Sequence, residues 1–254
     1  MDISHTALVY LAAVGMAEVI TALVSPTWGV ACHIFIFGNL LIQAGMNRRP
    51  WERGFYLSMS IAPLIRIVSM GMPLGYFRQE WWYLLSSIPL FATSFVIART
   101  VPLNRREINL QLPELKYWPV SVLVALTGIP LGAIEFEILR PTPIVSSLDW
   151  QSVTIASLIL LIGTGFIEEL IFRGILQTTV SEVYGSWWAI AYVSVLFGEL
   201  HTGHMSVVDV VFVIGVALYF AAVVKSTRSL LGVSLSHGLT NIFLFIVFPL
   251  THLL

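Results

Sequence analysis

Charge is scarce in this chain: Asp, Glu, Lys and Arg make up 11% of its 254 residues, against about 25% in soluble domains. With 57% hydrophobic residues and a mean hydropathy of +0.87, that scarcity excludes an ordinary soluble domain. The 13 Lys and Arg barely offset 14 Asp and Glu. A basic footprint is therefore lacking, and nucleic acid is excluded as a partner. The single cysteine, Cys32, rules out an intramolecular disulfide and a Cys-rich zinc cluster. Lys and Arg are absent before Arg48, so the first apolar stretch lacks the basic n-region of a cleaved signal peptide and is expected in the mature protein. No polar stretch is long enough for a separate soluble domain, and there is no repeat or low-complexity tract. The longest, Thr100 to Lys116, reads as a connector carrying Pro102 and Pro113.

What the chain has is long apolar runs. A hydrocarbon core of about 30 Å takes roughly 20 apolar residues per helix, and windows of that length fall at 6–24, 28–46, 54–72, 82–99, 118–135, 152–175, 186–201, 206–224 and 230–250. The expected fold is all-α: a polytopic transmembrane helix bundle of eight to nine spans in a lipid bilayer. Between the windows lie Asn47 to Arg53, Asn104 to Glu107, Glu137 to Arg140 and Lys225 to Arg228. Alternate loops place Arg48, Arg49, Arg53, Arg99, Arg105, Arg106, Lys116, Lys225 and Arg228 on one side, with only Arg78 and Arg140 on the other. The positive-inside rule makes the first side, and the N-terminus, cytoplasmic. Nine spans put the C-terminus outside; a re-entrant short segment reverses that. Trp81-Trp82-Tyr83 and Trp187-Trp188 read as interfacial belts.

Ionisable side chains inside spans are expensive and each requires an account. Arg66 is expected to pair with Glu18 across helices. His33, alone among apolar residues, reads as a hydrogen-bonded packing residue. His5 and His252 lie near the termini, and Asp209 and Glu182 near helix ends where charge is cheap. Pro63, Pro89 and Pro130 are tolerated as kinks.

Three clusters, in the apolar windows 152–175, 186–201 and 230–250, resist such explanations: Glu168-Glu169-Leu170-Ile171-Phe172-Arg173, Phe197-Gly198-Glu199-Leu200-His201 and His237-Gly238-Leu239-Thr240-Asn241. Glu169 and Arg173, four apart, share a helical face and form a brace. Glu168 points about 100° away and is the free carboxylate. If the chain reverses near Tyr184-Gly185, Glu168 and His201 stand equally far from the turn and meet at one level. His237 reaches a similar depth from the same side, and Asn241, one turn on, faces the same way.

A carboxylate and an imidazole sharing a water can run general-base hydrolysis, with Glu168 taking the proton and His201 orienting the oxygen. His237 and Asn241 can then donate to the oxyanion on the scissile carbonyl. Phe197, one turn before His201, supplies an apolar wall or simply packs. The same Glu168, His201 and His237 also make a two-His, one-carboxylate set of the kind that binds catalytic zinc. An HExxH helix is absent, and Asn241 is an unusual ligand. Residue types alone do not separate the two chemistries. His204, after Gly203, reads as a polar loop residue.

In order and spacing, Glu168-Glu169-x-x-x-Arg173, Phe197-x-x-x-His201 and His237-x-x-x-Asn241 resemble the CPBP family, the CAAX-protease and bacteriocin-processing intramembrane proteases that include the Ras-converting CAAX endopeptidase. The resemblance covers roughly Trp118 to Pro249. It divides the chain into variable N-terminal helices, 1–117, and a catalytic core, 118–254. It implies a CAAX-type endopeptidase cleaving a membrane-associated peptide or protein from a cavity open to the cytoplasm. By it, Glu168 and His201 activate water, His237 and Asn241 stabilise the oxyanion, and Glu169 with Arg173 supports the site. The family has been described both as metalloproteases and as glutamate-dependent proteases; no cofactor is expected, with zinc as the alternative. Two rivals stand beside the protease: a proton-coupled transporter, for which no inverted repeat is visible, and a non-catalytic scaffold for membrane segments.

Overall fold

The computed structural model describes residues 3–145 and 149–252, with the side chain of His252 outside the description. Among the described residues nine helices carry the fold: α1 (Ile3–Val24), α2 (Pro26–Met46), α3 (Pro50–Gly71), α4 (Glu80–Thr100), α5 (Leu115–Leu139), α6 (Trp150–Tyr184), α7 (Ser186–Glu199), α8 (Val207–Thr227) and α9 (Leu231–Thr251). Eight of them, all but α7, are long and apolar enough to cross a membrane. The molecule is an all-α polytopic bundle. With 14 residues, α7 is about 21 Å long, too short for the hydrocarbon core.

Local chemistry sets the ends. Pro26 and Pro50 occupy first turns, where a missing N–H costs nothing. The side chains of Asp149 and Ser206 cap α6 and α8, accepting from Ser152 N at 2.9 Å and Asp209 N at 3.2 Å. Gly185 makes the turn between α6 and α7, where the sequence predicts the reversal.

The 35 residues of α6 run about 50 Å, so it continues well past the window 152–175, as its polar stretch after Arg173 suggests. Every residue from Leu170 to Leu176 is buried, which makes α6 the central post of the bundle. Two wide-turn π-helical stretches, Leu161–Phe166 and Leu170–Leu176, bracket Ile167–Glu169. Such insertions concentrate at functional sites because they re-aim side chains without ending the helix.

Against this post lies α9, whose other flank packs on α5. Gly165 and Gly238 make the α6 approach possible: a Cβ on Gly165 meets Gly238 N at 2.6 Å, and one on Gly238 meets Leu161 Cα at 2.9 Å. On the α5 side, a Cβ at Gly128 meets the Ser236 carbonyl at 2.2 Å. Helices that approach this closely are held by van der Waals contact, which replaces the hydrophobic drive missing in lipid.

The connector after α4 is more than a tether. Ile108 and Asn109 are buried, and Asn109 Nδ2 donates to the Arg173 carbonyl at 3.4 Å. Leu230 N donates to the Asn109 carbonyl at 3.1 Å, and Thr178 Oγ1 to that of Glu107 at 2.9 Å. The segment thereby ties α6 to α9.

Candidate functional site

The motif residues of the three clusters meet in one region. Glu168 and Glu169 come from α6, Phe197 from α7, His201 from just past its end, and His237 and Asn241 from α9. A cavity of about 380 Å³ is lined by Glu168, His201, His237 and Asn241 together with Glu135 and His204. Its opposite wall includes Arg66 from α3 and Trp82 and Tyr83 from α4.

Glu169 is fully buried, and its Oε1 accepts from Arg173 Nη1 and from His237 Nδ1, each at 2.9 Å. The brace forms as its i,i+4 spacing predicts, and the bond to His237 is an addition that spacing does not reveal. Glu168 is the free carboxylate, with its side chain 27% exposed and Oε2 3.7 Å from His237 Nε2.

The histidine tautomers follow from their partners. His201 Nδ1 donates to the Phe197 carbonyl at 2.8 Å, which leaves a lone pair on Nε2. His237 gives its Nδ1 proton to Glu169, so an Nε2–H exists only in its imidazolium form. Asn241 Nδ2 donates to Thr164 Oγ1 at 2.8 Å. Because that hydroxyl gives its own proton to the Leu160 carbonyl, it can only accept from Asn241, which fixes the amide and leaves it a second N–H.

Phe197 is buried at the hub. Its ring centroid lies 4.7 Å from that of His201 and 6.0 Å from that of His237. The Arg173 guanidinium sits 4.6 Å over its face, a cation–π contact on a desolvated cation. Ordinary lipid-facing packing does not describe it.

His33 is a fully buried packing residue as expected, with Nε2 3.3 Å from Glu18 Oε1. Two expectations are corrected. Asp209 is not a cheap helix-end charge but fully buried, and His204 is its partner at 2.8 Å rather than a plain loop residue. That hydrogen bond raises the His204 pKa above the ordinary histidine value, with burial opposing it. Arg66 pairs with Glu18 as expected, bidentately at 2.9 and 2.6 Å, and also donates to the Leu200 carbonyl at 2.8 Å. Glu182 and His5 are exposed as expected. Trp187 and Trp188 are exposed, whereas Trp82 also faces the cavity.

Thr164, Glu135 and the Arg66–Leu200 contact escape the sequence reading. Glu135 falls at the very end of the window 118–135, beside charges assigned to a loop. The helix in fact runs to Leu139. Glu137 is exposed and pairs with Arg140 at 2.7 Å, while Glu135 points inward.

Among the described residues, no three His, Cys, Asp or Glu side chains are arranged to hold a metal ion. Glu168, His201 and His237 share a cavity without the convergence of a ligand set, so they do not fit the zinc alternative.

Fold and cavity define a polytopic helical membrane protein with a buried carboxylate–imidazole site. Residues 150–243 match the family model described as type II CAAX prenyl endopeptidase Rce1-like. All seven residues of the three motifs fall inside the match. No curated protein and no solved structure matches the chain.

Proposed function

We propose that the protein is an intramembrane endopeptidase that hydrolyses a peptide bond of a membrane-associated substrate. The observation that carries this reading is the pairing of a partly open Glu168 carboxylate with two imidazoles whose Nδ1 atoms are both committed, leaving both Nε2 atoms for the cavity. Water placed between Glu168 and His201 donates to the Nε2 lone pair of His201. Glu168 takes its other proton as the oxygen attacks the scissile carbonyl carbon. The tetrahedral oxyanion accepts from the imidazolium Nε2–H of His237 and the free Nδ2–H of Asn241. Collapse breaks the C–N bond, and Glu168 returns its proton to the leaving amine. Glu169 serves twice in this scheme, neutralising Arg173 and supporting the imidazolium of His237. The chemistry resides in 118–254, and the lining of the cavity by Leu74, Trp82, Tyr83 and His204 supports an opening toward the end of the bundle that carries Arg78 and Arg140.

The test is cleavage of a quenched, membrane-tethered peptide library by detergent-purified protein. Glu168→Gln is expected to lower the rate by about 10²-fold or more, and wild-type cleavage is expected to survive a chelator. A Glu168→Gln rate equal to wild type overturns the proposal. Loss on chelation, with zinc restoring cleavage, moves His201 and His237 into a ligand role.

A further inference from the structure

The proposed mechanism leaves one carboxylate of the cavity unused. Glu135 is 7% exposed, lines the cavity that holds Glu168, and borders the small pocket behind His201 and His237. Among the described residues its side chain accepts no hydrogen bond and forms no ion pair. Its position is built in: Gly128, Gly132 and Glu135 fall on the buried stripe of α5, and the two glycines seat that stripe against α9. Glu135 is thereby held at the level of the motif residues of α9.

Nearby cations are already committed. Arg66 is held by Glu18, Arg173 and His237 by Glu169, and His204 by Asp209. A carboxylate buried without a cation or donors is costly, so what enters the cavity is expected to compensate it. A metal ion is poorly served, since no three-ligand group is present among the described residues. An organic cation is well served: Trp82 and Tyr83 present rings, and Ser86 and Ser87 hydroxyls, in the same cavity.

We propose that Glu135 is the specificity-determining anchor for a basic side chain, lysine or arginine, of the substrate beside the scissile bond. The substrate in question is that of the protease reading, on which the inference rests. Glu135 and Glu168 together also disfavour an acidic residue at the same place, because like charges in a desolvated cavity repel.

The test uses N-acetylated, membrane-tethered fluorescent peptides that differ only in lysine, norleucine or glutamate near the cleavage site. Acetylation removes the terminal amine as a rival cation. Binding is read by anisotropy on the full-length Glu168→Gln protein, so it does not depend on turnover, and cleavage is read on the active chain. Lysine peptides are expected to bind at least about tenfold more tightly than norleucine peptides, the worth of one charge-assisted hydrogen bond. That ratio is expected to collapse in Glu135→Gln, persist in part in Glu135→Asp and turn toward glutamate in Glu135→Lys. Equal binding of lysine and norleucine peptides, or a lysine preference that survives Glu135→Gln, overturns the inference. Lysine-selective, Glu135-dependent binding without cleavage by wild type supports the site and counts instead against the protease.

Discussion

The two hydrogen bonds on Glu169 Oε1 can be separated by experiment. In Glu169→Gln, Arg173 keeps its charge at 1% exposure without its ion-pair partner, and its Nε and Nη2 already lack hydrogen-bond partners. Breaking a buried pair from one side costs about 3–5 kcal/mol. At roughly 2–4 °C per kcal/mol for a chain of this size, that lowers the melting midpoint by about 6–20 °C. Adding Arg173→Met removes the stranded cation and keeps an unbranched side chain over the Phe197 ring, so the double variant is expected to recover most of the loss. Activity is expected to behave differently. His237 loses its anionic partner in both variants, and cleavage falls by about 10²-fold in both, the scale of one oxyanion donor. The assay pairs apparent melting midpoints in detergent, at one scan rate, with cleavage of the best library peptide. A double variant as unstable as the single one refutes the idea that Glu169 compensates Arg173. Recovery of activity with stability refutes the link from Glu169 to His237.

Other outcomes follow from the same geometry. Thr164→Val removes the acceptor that holds the Asn241 amide and is expected to lower kcat by about tenfold, while Thr164→Ser, which keeps the hydroxyl, stays close to wild type; equal rates for both refute the orienting role. Gly238→Ala places a Cβ 2.4 Å from Leu161 Cδ1 and 2.9 Å from its Cα, and a melting curve is expected to show about 1–3 kcal/mol of destabilisation from overpacking. The raised His204 pKa, set first by the Asp209 bond, gives a stabilising contribution that is complete below the unfolded value of about 6.5. It is lost as pH rises through the folded value, and a melt series across neutral pH is expected to lose that dependence in His204→Gln.

Helix number and the meeting of the three motifs were legible because they rest on periodicities that survive in a single chain. Glu169 and Arg173 are four apart, His237 and Asn241 are four apart, and Glu168 and His201 stand equally far from the Tyr184-Gly185 turn. Partners between helices distant in sequence are not encoded that way. Nothing near Asp209 announces that it is sealed against His204, because a first-turn carboxylate looks the same in sequence whether it meets water or protein. Thr164 was hidden for a different reason: the π-helical turn at Leu161–Phe166 shifts the register, so counting at 3.6 residues per turn misplaces it. Glu135 was hidden by its neighbours Glu137 and Arg140, which make the end of a span look like a loop.

Packing and chemistry divide the chain differently. The motif residues all fall within 150–243, yet His201 lies beyond the last turn of α7, where backbone carbonyls lack helical partners. The carbonyl just before it, that of Leu200, accepts from Arg66 at 2.8 Å, and Arg66 is clamped in turn by Glu18 on α1. A helix end whose carbonyl accepts from a guanidinium that is itself clamped keeps the next residue in place, whereas a free end frays. The position of the His201 ring therefore depends on two residues more than 80 positions before the matched segment, in helices whose sequences carry none of the motifs. Helices 1–117 are thus expected to vary in sequence while keeping one requirement, a cation at the end of α7. That cation must itself be neutralised, because the same Arg66 lines the cavity and, left unpaired, would compete with any basic substrate group for Glu135.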